Sequence, residues 1–297
     1  MTTSTTRRTP YRIEHGGPED GPRLVLVHGL GGSHANWAAL GPLLAETTRP
    51  VALDLAGFGY TPGTRRSARV AANARLLTRF LREEIGEPVV LVGNSMGGMV
   101  SIMTAAANPE LVSGVVLLDP VLPAGRGGRL DPAAVVGIVL SLLPVAGPWL
   151  LARRRLSAKA RERALATLSL CYGDISRLTD TQLDTEVELT ETAEAEGLTP
   201  VAAYVGAARS LVLHGARRRY RREMAAITAP VLLLHGAHDR LVSVTAADAT
   251  ARVHPSWRYE RQDGGHVPHM ELPAETAHSI RAWLEERKTH PWQRESA

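Results

Sequence analysis

The segment PVVLVGNSMGGMVSI, residues 88–102, decides how this chain is read. Residues 88–92 form a continuous apolar run bounded by punctuation, the pattern of a strand buried on both faces of a parallel sheet. Residues 96–107 read as a helix that stops at Asn108-Pro109. Ser95 stands between the two, with Gly93 two positions before it and Gly97 two positions after. A G-x-S-x-G pattern on a strand-to-helix boundary describes a sharp turn that exposes the serine hydroxyl above the end of a sheet. Side chains larger than glycine at the flanking positions would clash inside so tight a turn. Because 27 of the 297 residues are glycine, the pattern can arise by chance. Its weight comes from the strand, the helix and the partners found elsewhere.

Working outward, similar strand runs recur at RLVLVHG (23–29), PVALDL (50–55), VSGVVLLDP (112–120), APVLLLHG (229–236) and WRYERQDGG (257–265). Between them lie helical stretches, among them SARVAANARLLTRFLREEIG (67–86) with its glycine stop and the final AETAHSIRAWLEERK. Strands alternating with helices predict an α/β architecture, a parallel sheet covered on both faces. Residues 121–228 break the rhythm: they lack buried strand runs and carry Ala, Leu and Arg at helical spacing. A structureless loop of that length is uncommon, so this stretch reads as a helical insertion. The division is therefore a core of 11–120 and 229–290 with a helical cap over 121–228.

Composition sets outer bounds. The chain is 44% hydrophobic and 22% charged with a net charge of +4, the profile of an ordinary globule. Charge comes in blocks: RRRLSAKARER (153–163) and RRRYRR (217–222) are basic, and DTQLDTEVELTETAEAE (180–196) carries seven acids and no base. Such blocks read first as solvated helix faces, and an anionic surface is the sharper alternative. With 4% aromatics and no recognition motif, nucleic acid is set aside. The single cysteine, Cys171, excludes an internal disulfide and reads as packing. The N-terminal MTTSTTRRTPYRIEHG has no apolar h-region, so the expected location is cytoplasmic. Residues 132–152, PAAVVGIVLSLLPVAGPWLLA, carry no charge but are interrupted by Pro144, Gly147 and Pro148. They read as an apolar lid over a pocket, with weak contact to a membrane surface as the alternative and a spanning helix disfavoured.

A serine hydroxyl needs a base, and the base needs an orienting carboxylate. In parallel sheets reactive groups gather at the carboxyl ends of the strands. HGAHDRLVS places Asp239 just beyond one strand, and DGGHVPHMELP places His266 in the glycine-rich loop beyond the next. HGLGGSHANW ends the first strand, with Gly29, Gly31 and Gly32 around Leu30. With these motifs in the order Ser95…Asp239…His266, the chain resembles the α/β-hydrolase fold superfamily, in the serine branch with a helical cap. The resemblance runs from about residue 11 to 288 and implies a mostly parallel sheet of eight strands with helices on both faces. It also implies Ser95 as nucleophile, His266 as general base and acid, and Asp239 as the carboxylate that holds the imidazole. The backbone N–H groups of Leu30 and Met96 would form the oxyanion hole.

Each assignment has a rival. Asp119, at the end of VVLLDP, is the competing acid, and His269 the competing base. His28 reads as a structural residue of the first loop, and Asp54 as a loop-fixing residue. His235 and His238 lack further ligands at zinc spacing, so no metal is expected. Neither a strand-borne G-x-G-x-x-G nor a phosphate-cradling lysine loop occurs, so no cofactor is expected. Serine at the turn disfavours halide displacement and epoxide opening, for which this superfamily uses aspartate. The expected substrate is a small-molecule carboxylic ester with an apolar acyl group, cleaved as by a carboxylesterase or lipase. The alternative is hydrolysis of a carbon–carbon bond of meta-cleavage-product type, suggested by GNSMGG and HANW. A non-catalytic ligand receptor on this fold is the reading from another class, disfavoured because all three triad positions are present. The oligomeric state stays open.

Overall fold

A computed structural model describes residues 9–123 and 158–289, together with residues 143, 149, 152 and 153. Seven strands form one sheet in the order β1-β3-β2-β4-β5-β6-β7. They are β1 (Arg12–Glu14), β2 (Arg23–Val27), β3 (Arg49–Leu53), β4 (Val89–Asn94), β5 (Val112–Leu118), β6 (Val231–Gly236) and β7 (Arg258–Gln262). All neighbouring pairs are parallel except β1 with β3.

The expected count of eight strands is corrected to seven among the described residues. Six of the seven come from the apolar or β-rich runs that the sequence displays. The seventh, β1, is a three-residue edge strand of exposed and half-buried residues. After it comes HGGPEDGP, glycine- and proline-rich turn chemistry in which no further strand forms.

Each central strand alternates its side chains between two cores, because successive residues point to opposite faces. Val25, Val27, Val51, Leu53, Leu91, Val115, Leu117 and Leu233 pack on α2 (Val70–Phe80) and α3 (Met96–Ala107) through Leu77, Phe80, Met99 and Ile102. On the other face Leu24, Leu26, Val90, Val92, Val116, Leu118, Leu232 and Leu234 meet Trp37, Leu40 and Leu44. Leu40 and Leu44 lie on α1 (Leu40–Ala45). Ala277, Ile280 and Trp283 of the final helix complete that core. Both faces of β4 are therefore covered, which is why its run is apolar without alternation.

Between β5 and β6 the described residues form α4 (Ala160–Cys171), α5 (Asp180–Ala195), α6 (Val201–Gly215) and α7 (Arg218–Ala225). Strand β6 is followed by α8 (Val244–Val253), and β7 by the short α9 (Pro268–Glu271) and by α10 (Pro273–Thr289). The acidic block 180–196 is α5, opened by a capping box of Thr179 with Gln182. Of the expected apolar lid, residues 132–152, almost all lies outside the described residues. Among the described residues no helix is long and apolar enough to cross a membrane.

Trp283 packs α10 against the sheet. Its ring lies so close to β5 that a Cβ on Gly114 would come within 2.8 Å of it. Trp283→Ala is expected to cost about 3–5 kcal/mol of unfolding free energy, read as a lowered urea midpoint.

Candidate active site

The turn between β4 and α3 holds Ser95 at φ 52 and ψ −112, a left-handed backbone that an L-residue rarely adopts. Two close approaches explain the glycines around it. A Cβ on Gly93 would come within 2.6 Å of the Gly97 carbonyl oxygen, and one on Gly97 would collide with the carbonyl oxygen of Val27. The Ser95 N–H donates to Leu118 O at 3.0 Å, so the turn is braced by β5. The residue itself stays 8% exposed, and its backbone opens a twelve-residue helix whose first N–H groups have no intrahelical acceptor.

Loop 28–33, which follows β2, runs beside this turn. A Cβ on Gly29 would lie 3.3 Å from the Ser95 Cβ. His28, fully buried, donates Nδ1–H to Gly29 O (2.7 Å) and accepts the Leu55 N–H on Nε2 (3.0 Å). Desolvation lowers its pKa, so it is neutral and structural. Among the described residues the N–H groups of Leu30 and Met96 donate to no protein acceptor. Asp54 accepts the backbone N–H groups of His34 (2.6 Å) and Tyr60 (2.8 Å) and the His34 ring (2.9 Å), which fixes the loops beyond β2 and β3.

Asp239 and His266 meet directly. His266 Nδ1 lies 2.7 Å from Asp239 Oδ2, while Asp239 Oδ1 accepts the N–H groups of Leu241 (2.7 Å) and Val242 (3.0 Å). Burial works to raise the Asp239 carboxyl, but the charge and hydrogen bond of His266, with help from His235 and Val242, hold it below its ordinary range. With Nδ1–H given to a carboxylate, the free lone pair of His266 sits on Nε2.

The Ser95 hydroxyl makes no hydrogen bond to His266 in this structure. Asn94, the residue before it, joins the two by donating Nδ2–H to Leu118 O (3.1 Å) and to His266 O (2.9 Å). Bonds to a nucleophile commonly tighten only when substrate is bound.

The rivals have other occupations. His269 is buried against Trp37, ring centroids 4.4 Å apart, and burial pushes its pKa down to about 3. His238 is exposed and pairs with Asp263 at 2.9 Å. Asp119 is fully buried beside His235 and Asp239, and one ligand-type atom from each of the three lies within 4.8 Å of the others. His235 Nε2–H is already given to Val242 O at 2.9 Å, and Asp119 Oδ1 accepts the Gly236 N–H at 2.7 Å. Burial raises the Cys171 thiol to about 12, so the cysteine stays a thiol.

Two residues that sequence reasoning passed over fasten the inserted helices to this site. Glu271, in the ELP that served only to mark His266, accepts the N–H groups of Gly265 (2.7 Å), Gly173 (2.9 Å) and Asp174 (2.9 Å), and Arg177 at 3.2 Å. The His266 N–H donates to Cys171 O at the end of α4 (2.6 Å). Glu186 of α5 is the second: Asn36 Nδ2 donates to its Oε1 at 2.5 Å, and burial raises its carboxyl to about 7. A glutamate inside an acidic helix gives no sign in sequence that it turns inward.

A family model for the alpha/beta hydrolase fold matches residues 22–273, and the chain belongs to that family. It is 26% identical over 272 residues to the dihydrolipoyllysine-residue acetyltransferase component of the acetoin cleaving system of Cupriavidus necator, covering 89% of this chain and 63% of that one. The chain thus spans less than two thirds of that relative. It is 28% identical to the monoglyceride lipase of Rattus norvegicus, over 91% of this chain and 85% of the relative. To a 2-hydroxy-6-oxo-6-(2'-aminophenyl)hexa-2,4-dienoic acid hydrolase of Metapseudomonas resinovorans it is 26% identical, over 90% and 85%. Among solved structures, a haloalkane dehalogenase from Bradyrhizobium elkani superposes with a TM-score of 0.76 at 20% identity, covering 94% of each chain. That likeness concerns the fold alone.

Two outcomes test these fastenings. Glu271→Ala strands three backbone N–H groups and should cost about 3 kcal/mol or more in chemical denaturation. For Glu186, a raised folded pKa means that stability is fully present below its unfolded value and is lost as pH rises through about 7. Glu186→Gln should therefore raise Tm by about 2 °C above pH 8 and leave it unchanged near pH 4 in a calorimetric pH series.

Proposed function

We propose that this member of the alpha/beta hydrolase family is a serine hydrolase that cleaves a carboxylic ester through an acyl-enzyme intermediate. The observation that carries the reading is Ser95, held at positive φ at a strand end, with the 2.7 Å Asp239–His266 pair brought to its side by Asn94. In this reading Ser95 Oγ attacks the ester carbonyl and gives its proton to His266 Nε2. The His266 imidazolium is stabilised by Asp239 and then protonates the leaving alkoxide. Water repeats the sequence on the acyl-enzyme with His266 again as base, releasing the acid and restoring the Ser95 hydroxyl. The oxyanion of each tetrahedral intermediate is met by the N–H groups of Leu30 and Met96, each worth about 100-fold or more in such a hole.

In this reading the described helices α4 to α7 act as a helical cap over this site. A Cβ on Gly31 would lie 3.4 Å from the Tyr204 ring of α6, so the insertion covers the loop that carries Leu30. The name of the monoglyceride lipase supports an ester as substrate, and so does that of a pimeloyl-[acyl-carrier protein] methyl ester esterase of Aromatoleum aromaticum. The dienoic acid hydrolase among the relatives favours the second reading, carbon–carbon hydrolysis, for which the same serine and base would serve.

A chromogenic p-nitrophenyl ester series from acetate to palmitate, run beside a vinylogous ring-cleavage diketone, separates the two. A burst equal to the enzyme concentration with an optimum in chain length is the expected result, and turnover of the diketone alone would transfer the protein to the second reading. Ser95→Ala should abolish turnover while leaving the unfolding transition in place, and Asp239→Asn should lower kcat by about 10⁴-fold, as the wrong tautomer does in serine triads.

A further inference from the structure

Asp119 ends β5 and has no part in the reaction as proposed, yet it is held in a costly state. Its backbone φ is 44, and among the described residues Ser95 is the only other non-glycine residue at positive φ. Its carboxyl is fully buried. Oδ1 accepts the Gly236 N–H at 2.7 Å, and Oδ2 has no hydrogen-bond partner. His235 Nδ1 stands 3.6 Å from Oδ1, also without a partner, and the Asp239 carboxylate is within the same 4.8 Å group.

Among the described residues no cation balances this corner. His235 donates Nε2–H to Val242 O, and burial lowers its pKa, so it is neutral. Glu271 adds a further negative charge at longer range, and the Cys171 thiol facing Asp239 is neutral. Asp239 is the carboxylate that His266 and two backbone N–H groups keep ionised. Two carboxyls sharing one buried site do not both ionise, and the one without a cationic partner keeps its proton. Burial first, then the Asp239 charge, put the Asp119 carboxyl well above its ordinary range.

We propose that Asp119 is a positioning residue: its O–H hydrogen-bonds the Asp239 carboxylate from the end of β5, and so sets how strongly Asp239 draws a proton onto His266. The inference rests on Asp239 and His266 acting as the acid and base of the reaction. Without the donor, Asp239 concentrates its charge on its bond to His266, which raises the basicity of the imidazole. The base then needs a higher pH to be neutral.

Three proteins test this: wild type, Asp119→Asn and Asp119→Ala, each followed as kcat and KM against pH on a p-nitrophenyl ester. Asn has the same shape and remains a neutral donor, so its kcat should stay within about threefold of wild type with the acid limb unmoved. Ala removes the donor and should lower kcat about tenfold (about 1.4 kcal/mol) at constant KM, with the acid limb displaced to higher pH. An Asn profile displaced to lower pH would mean that Asp119 is ionised, and that overturns the proposal, as does an Ala profile that superimposes on wild type. If Ala does not fold, the Asn profile decides. An infrared difference spectrum at neutral pH reads the same point without turnover. A protonated-carboxyl stretch that Asp119→Asn removes from the wild-type spectrum supports the proposal, and a spectrum from which the substitution removes no such band overturns it. Because that spectrum requires no activity, it stands apart from the fate of the hydrolase reading, which turns on Ser95→Ala.

Discussion

The contact on which the rest depends is the close approach of α3 to the end of β2. The Gly97 backbone lies against the carbonyls of Val27 and His28 so tightly that even a methyl group has no room. That approach forces the chain to reverse from strand to helix within one residue, and the residue at the pivot takes the positive φ. Strain of this kind persists only where the surroundings over-determine it. Here the braces are the Ser95 N–H bond to Leu118 and the two Asn94 bonds to Leu118 and His266. One backbone constraint thus sets the serine, the loop after β2 and the carbonyl of the histidine in a single frame.

Around that frame stand four buried carboxyl groups among the described residues, with half-buried Glu186 beside them. Asp54, Asp119, Asp239, Glu186 and Glu271 all lie in or against the strand-end layer, and each has a different solution to the cost of burial. Asp54 and Glu271 take several donors at once. Asp239 has the histidine. Glu186 and Asp119 have the least help, and their pKa values rise accordingly. The electrostatics of the site is therefore set by which carboxyls are left under-bonded.

Helices α4 and α5 are fastened beside the candidate site, while α6 and α7 pack on the core through Ala203, Ala207, Tyr220 and Met224. Cys171 O holds the His266 N–H, Glu271 ties loop 173–177 to Gly265, and Asn36 ties the loop after β2 to Glu186. Helix α4 is thereby tied to the histidine and α5 to the turn that follows loop 28–33. The His266–Cys171 bond joins two main-chain groups, whereas Glu271 and Glu186 act through their side-chain carboxylates.

How much of this could be read beforehand depends on the range of the physics involved. Strands β2 to β6 announce themselves because burial on both faces selects unbroken apolar runs, and α3 because Asn108-Pro109 ends it where the periodicity does. Ser95, Asp239 and His266 stand out in sequence because each needs a special turn, and turns carry local glycine signatures. The edge strand β1 is missed because three half-exposed residues paired at the rim need no apolar pattern. The roles of Asn94, Asp119, Glu186 and Glu271 are invisible for another reason: each is defined by groups that lie 24 to 172 residues away along the chain, or six in the case of Gly265. Local chemistry determined which residues this protein has available to react. Only tertiary structure decided which carboxyls lose water, which ones find donors, and therefore which ones hold a proton.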